Sequence, residues 1–169
     1  MNEQKKKGLL PLYIAGGITL TALIAMILVL CLSKGSYAAR GEFVPPTFDR
    51  EAAQGMPRVA DDLDYMECYQ DGMDFRFWAC GNVKMDGRNA TVYLTNPESN
   101  TVWMKVRILD AEGTVLGESG LIKPGEYVKS VMLSAQLPVG TPIRLKIMTY
   151  EPDTYYSAGA VALNTRVGG

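Results

Sequence analysis

Val102-Trp103-Met104-Lys105-Val106-Arg107-Ile108 alternates for seven positions, with Val102, Met104, Val106 and Ile108 on one side and Trp103, Lys105 and Arg107 on the other. Side chains repeat every second residue in a strand and about every 3.6 in a helix, so the stretch reads as a strand with one face toward a core. Ile143, Leu145 and Ile147 oppose Arg144 and Lys146 in the same way. Ala90, Val92 and Leu94 share a face within residues 89–95, and Phe75 begins an aromatic-rich run at 75–79. Residues 114–118, 126–133 and 158–167 complete the series, the last with Val161, Leu163 and Val167 facing inward. Asp110-Ala111-Glu112-Gly113, Pro124-Gly125 and Gly140 supply turns between them. About seven short strands spaced by turns, with no sustained helical period, predict an all-β fold, an immunoglobulin-like antiparallel sandwich. A small barrel is the alternative.

Upstream the pattern changes. From Leu9 to Leu32 no residue is charged, and Lys5, Lys6 and Lys7 precede the run. As a helix it would be about 36 Å long, enough to cross an ~30 Å hydrocarbon core with tilt. The lysines set the N-terminus on the cytoplasmic side and the rest of the chain outside, since only Lys34 and Arg40 follow closely. The expected organisation is a cytoplasmic N-terminus (1–8), a single transmembrane helix (9–32) with the lipid bilayer as its partner, an extracytoplasmic linker (33–62) and the sandwich (63–169). A cleaved secretory signal, ending after Ala38, is the rival reading, but its apolar region should be only about 7 to 15 residues long. The linker assignment rests on Gly35, Gly41, Pro45, Pro46, Gly55 and Pro57 and on the lack of an apolar period. Asp61, Asp62 and Asp64 lack the glycine and distal glutamate of a calcium loop and read as a solvated start to the domain.

The chain has no histidine. That removes Ser-His and Cys-His nucleophilic pairs, imidazole bases and most zinc sites, and no Ser-x-x-Lys or phosphate-cradling glycine loop occurs. The reading is therefore non-enzymatic, with no cofactor and no metal. Residues 41–169 hold seventeen acidic and twelve basic residues, a net charge of −5, which disfavours nucleic acid or an anionic membrane surface as the main partner. Cys68 and Cys80, the two cysteines beyond the span, are expected to form a disulfide in an oxidising compartment, with two packed reduced thiols as the alternative.

A candidate binding surface comprises Trp103, on the polar side of its strand, with Tyr150, Tyr155 and Tyr156 in the segment Tyr150-Glu151-Pro152-Asp153-Thr154-Tyr155-Tyr156. Tyrosine offers broad contact area and a hydroxyl at low entropic cost, although the same residues can simply cap a sandwich.

Leu94-Thr95-Asn96-Pro97-Glu98-Ser99-Asn100, Ser119-Gly120-Leu121-Ile122-Lys123-Pro124-Gly125-Glu126 and Leu133-Ser134-Ala135-Gln136-Leu137-Pro138-Val139-Gly140-Thr141 together resemble small membrane-anchored β-sandwich surface proteins of Gram-positive bacteria. The resemblance covers about residues 89–167 and rests on turn chemistry. It implies a surface location, and most such proteins have no assigned activity. Pro142 stands where such proteins tend to have tyrosine, and the cysteine pair is not one of their features. The expected function is a tethered extracytoplasmic domain that binds a protein partner or itself, as an envelope or surface subunit or an adhesin. A carbohydrate-binding surface module is the alternative.

Overall fold

The computed structural model describes residues 26, 43–69 and 72–169. Apart from Met26 the expected span at 9–32 lies outside these residues, and among them no helix is long and apolar enough to cross a membrane. Residues 45–169 build ten strands: β1 (Ala53–Gln54), β2 (Tyr65–Cys68), β3 (Phe77–Cys80), β4 (Lys84–Asp86), β5 (Asn89–Asn96), β6 (Trp103–Leu109), β7 (Val115–Glu118), β8 (Glu126–Met132), β9 (Pro142–Tyr150) and β10 (Ser157–Arg166). The seven expected strands appear as β3 and β5 to β10. The other three are two to four residues long, too short to show a period of two.

One antiparallel sheet runs β1-β8-β5-β3-β2, with β4 also paired to β5, and the other runs β10-β9-β6-β7. The core lies between them. Phe77, Val92, Leu94 and Val128 from the first sheet meet Met104, Val106, Ile108, Leu145 and Ile147 from the second in one buried cluster. All of these side chains are essentially excluded from water, and each contributes roughly 1.5–3 kcal/mol of apolar burial.

Asn96, at the end of β5, is fully buried and ties the two sheets together. Its Nδ2 donates to the carbonyls of Val102 (2.8 Å) and Ile122 (3.3 Å), and its Oδ1 accepts from Asn100 Nδ2 at 2.7 Å. Asn100 Nδ2 also donates to the Arg76 carbonyl, and Asn100 Oδ1 accepts from the Arg76 N–H. Ile122 exchanges backbone hydrogen bonds with Met104 of β6, and Gly125 N–H donates to the Asn96 carbonyl. Residues 119–126 thereby pass from one sheet to the other around the Asn96 amide.

Part of the segment read as linker is tied into the sheets. The Asp49 N–H donates to the Leu121 carbonyl at 2.8 Å, Leu121 N–H to the Thr47 carbonyl at 2.9 Å, and Gly120 N–H to Asp49 Oδ2 at 2.8 Å. A Cβ at position 120 would collide with the Asp49 backbone, so glycine is what lets this segment dock. Ala53 and Gln54 then pair with Tyr127 and Glu126.

The expected Cys68–Cys80 disulfide is absent, and both cysteines are free thiols. The ladder explains why. Cys80 lies opposite Tyr65 and Cys68 opposite Phe77 in the β2–β3 pair, an offset of three residues. Three residues of strand span about 10 Å, beyond the ~7 Å Cα separation a disulfide tolerates. An odd offset also places the two side chains on opposite faces. Cys68 packs on the core beside Phe77, while Cys80 faces the outer side with Tyr65. Burial pushes the Cys80 thiol up to about 11, with Asp64 adding to it, and burial followed by the Glu67 charge raises Cys68.

Two outcomes are expected. Chain unfolded without reductant will have both Cys68 and Cys80 alkylated in peptide mass spectra; an unalkylated, linked pair contradicts the ladder. Asn96→Ala will lower stability in urea by about 1–3 kcal/mol, because the Val102 carbonyl loses its donor, the Ile122 carbonyl keeps only that of Met104, and the Asn100 amide loses an acceptor. Unchanged stability would show that the amide does not hold the crossing.

Candidate functional site

The register of the four-stranded sheet decides what its outer face carries. Trp103, Lys105 and Arg107 of β6 pair with Tyr150, Met148 and Lys146 of β9, and Leu109 with Arg144. Met148, Lys146 and Arg144 pair in turn with Ala160, Ala162 and Asn164 of β10, and Arg107 with Glu118 of β7. Partners in an antiparallel ladder share a face, and Met104, Val106, Ile108, Leu145 and Ile147 take the inner one. The outer face therefore reads as parallel rows: an aromatic row at Trp103 and Tyr150, then rows of cations.

At the aromatic end the structure brings together three of the four residues expected there. Trp103 stands beside Tyr150 in the ladder, and its ring centroid is 5.1 Å from that of Tyr155 in an edge-to-face arrangement. Tyr155 reaches this place with a φ of 58°, a left-handed conformation rare for a tyrosine. Tyr156 is 71% exposed. A further ring, Phe48, packs edge-on to Trp103 at 4.8 Å, and Lys123 Nζ lies 4.8 Å from the Phe48 centroid. Phe48 belongs to the segment read as linker, and nothing in its neighbourhood of the sequence marks it.

The cations are arranged around one acid. Glu118 takes Lys105 Nζ at 3.0 Å and Arg107 Nη2 and Nε at 2.8 Å. The Lys105 side chain is only 7% exposed, so its ammonium depends on this partner. Burial alone would raise the Glu118 pKa; the hydrogen bonds from Lys105 and Arg107, and then their charges, outweigh it and hold the carboxyl below its ordinary value of 4.5. Arg144 Nε donates to Asn164 Oδ1 at 3.1 Å and Arg166 Nη1 to the Gly140 carbonyl at 3.4 Å. Among the described residues Arg144, Lys146 and Arg166 have no ion-pair partner. Arg144, Asn164 and Arg166 line a depression of ≈ 330 Å³ that Asp110 and Pro142 also border.

The six-stranded sheet has an aromatic outer face of its own. Thr95 pairs with both Trp78 and Tyr127, and Tyr65 lies 5.5 Å from Trp78 and 6.4 Å from Tyr93 between ring centroids. Tyr93 sits at a bulge in β5 with φ 43°, 6.4 Å from Tyr127. The Tyr65 hydroxyl is 2.6 Å from Thr95 Oγ1. These rings are half-buried. Because β1 and β2 occupy opposite edges of this sheet, residues 55–64 must carry the chain across its width.

Among the described residues no cluster of histidine, cysteine, aspartate or glutamate could hold a metal ion. What the four-stranded sheet offers is contact chemistry: flat rings at one end and hydrogen-bond-donating cations along the rest. Sequence reasoning found the rings from tyrosine density but passed over the cation rows, since each pair such as Arg144 and Lys146 is unremarkable until β6, β9 and β10 are aligned. No family model, no curated protein and no solved structure matches this chain.

Glu118→Gln should cost more than the ~1 kcal/mol ceiling of exposed ion pairs, because it strands the Lys105 ammonium, and adding Lys105→Met should restore much of the loss. The depressed Glu118 pKa contributes stability that is present above the ordinary carboxylate value and lost as pH falls through the lowered one. Glu118→Gln will therefore flatten the acid side of a stability–pH profile measured by urea unfolding; a profile parallel to that of the parent protein contradicts the pairing.

Proposed function

We propose that this chain is a membrane-tethered, non-enzymatic, extracytoplasmic domain of the immunoglobulin-like sandwich class that binds another protein, as a subunit of an envelope or surface assembly or as an adhesin. The observation that carries the reading is the edge at β10. That strand has β9 as its only strand neighbour among the described residues, and its register is unbroken from Gly159 to Arg166. It contains no proline and no charge before Arg166. Natural edges are usually guarded by lysine, proline, bulges or covering loops, because alternate N–H and C=O groups there lack a ladder partner. At its far end Thr165 Oγ1 donates to the Gly81 carbonyl and Val167 bridges to Val83, which leaves residues 159–164 as the open stretch.

The uncharged run from Leu9 to Leu32 and the preceding lysines support an anchor with the sandwich outside. The resemblance to Gram-positive surface proteins supports the same placement. A strand from the partner, added alongside β10, would extend the four-stranded sheet. Carbohydrate recognition is a second reading, favoured by the convergence of Trp103, Tyr155 and Phe48.

A photoreactive residue placed at Ala162 of the full chain in intact cells should yield a crosslinked product whose second peptide belongs to a defined protein. The same probe at Met132, exposed on the other sheet, should yield none. Recovery of monomer alone from the Ala162 probe, or crosslinking only at Met132, would overturn the reading.

A further inference from the structure

The net charge of the domain conceals a strong polarity. Among the described residues the outer face of β6, β9 and β10 with Glu118 of β7 holds five cations, Lys105, Arg107, Arg144, Lys146 and Arg166, against that one acid, a local balance of +4. The seven remaining cations are outnumbered two to one by fourteen acids. A low net charge is therefore compatible with one face that attracts anions and a remainder that repels them.

We infer that this face binds an acidic polysaccharide, with sugar rings against the aromatic row of Trp103 and Tyr150 and anionic substituents on Lys146, Arg144 and Arg166. The inference rests on the carbohydrate reading above and gives it a ligand class. Four features support it. The ring-bearing row and the cation rows lie on the same face of consecutive, register-locked strands, so one extended ligand meets both. From Tyr150 to Arg144 the strand runs about 20 Å, which suits a chain and not a single sugar. Beside Met148 and Lys146, β10 contributes only Ala160 and Ala162, so no bulky side chain interrupts the shelf. Arg144 and Arg166 border the same depression with Asp110 as its one acid, so the rim stays net positive and its guanidinium groups suit a carboxylate in a two-pronged geometry. Polar rings favour sugar over a purely ionic ligand, while unpaired cations favour an acidic sugar over a neutral one.

The test uses the full chain in detergent micelles, with a short oligogalacturonate, a neutral maltodextrin of similar length and inorganic polyphosphate as probes. The oligogalacturonate should bind at least about tenfold more tightly than the maltodextrin, a difference of ~1.4 kcal/mol. Arg144→Gln with Lys146→Gln should weaken it by a similar factor, and Trp103→Leu, which keeps apolar volume, should weaken the oligogalacturonate but leave polyphosphate unchanged. Unaltered unfolding midpoints would confirm that the variants stay folded. Equal binding of maltodextrin would overturn the acidic inference while leaving the carbohydrate reading standing. Polyphosphate binding as tight as oligogalacturonate, with no effect of Trp103→Leu on either, would reduce the face to a bare cation patch and overturn both. Absence of binding by every probe would do the same.

Discussion

Everything on the four-stranded sheet depends on the register between β6 and β9. Seven residue pairs fix it, from Trp103 with Tyr150 to Leu109 with Arg144. Because strand side chains alternate with a period of two, a slip of one residue in β9 would turn Arg144 and Lys146 into the core and Ile143, Leu145 and Ile147 out to water. Burying unpaired cations costs several kcal/mol each, and exposing three large aliphatic side chains forfeits roughly 1.5–3 kcal/mol apiece. The register is thus enforced by the core, and the outer face is its by-product: the same pairing that stacks Val106 against Ile147 sets Arg107 beside Lys146.

This dependence explains how much could be read beforehand. Alternation in residues 102–108 and 143–147 identified β6 and β9 and sorted Met104, Val106, Ile108, Ile143, Leu145 and Ile147 to the core and Trp103, Lys105, Arg107, Arg144 and Lys146 to the other face, although it gave no sign that Lys105 is buried there against Glu118. It could not say that β6 pairs with β9, so the cations remained separate pairs instead of rows. The cysteines failed for a related reason. Twelve positions apart is a convenient loop for a disulfide, but whether two residues meet depends on the hairpin register, which sets Cys68 and Cys80 three steps out of line. Phe48, β1 and the docked Asp49 were hidden by proline and glycine on either side, a composition typical of linkers. Asn96 lay within a recognised turn sequence, yet its role as the amide around which residues 119–126 change sheets requires, besides the nearby Val102 carbonyl, that of Ile122, 26 residues away in the chain.

Charge, like contact, is decided by placement on the strands. Composition gave −5 for residues 41–169 and argued against anionic partners as a whole-domain statement. Placement on strands divides that sum into a cationic face and an acidic remainder. A domain built this way has two different surfaces to offer the partners proposed above: the edge at β10 for a strand from another protein, and the adjoining face of rings and cations for an extended acidic chain. The two share β10 but use different groups of it, backbone at the edge and small side chains on the face.

The central claim is the β6–β9 register, and cross-strand nuclear Overhauser contacts between backbone protons of the folded protein test it most directly. The account requires contacts that pair Arg107 with Lys146, Val106 with Ile147 and Trp103 with Tyr150. Direct Hα–Hα or HN–HN contacts of Arg107 with Leu145 or Ile147 in place of Lys146 would put the cations and the core on the wrong faces and contradict it.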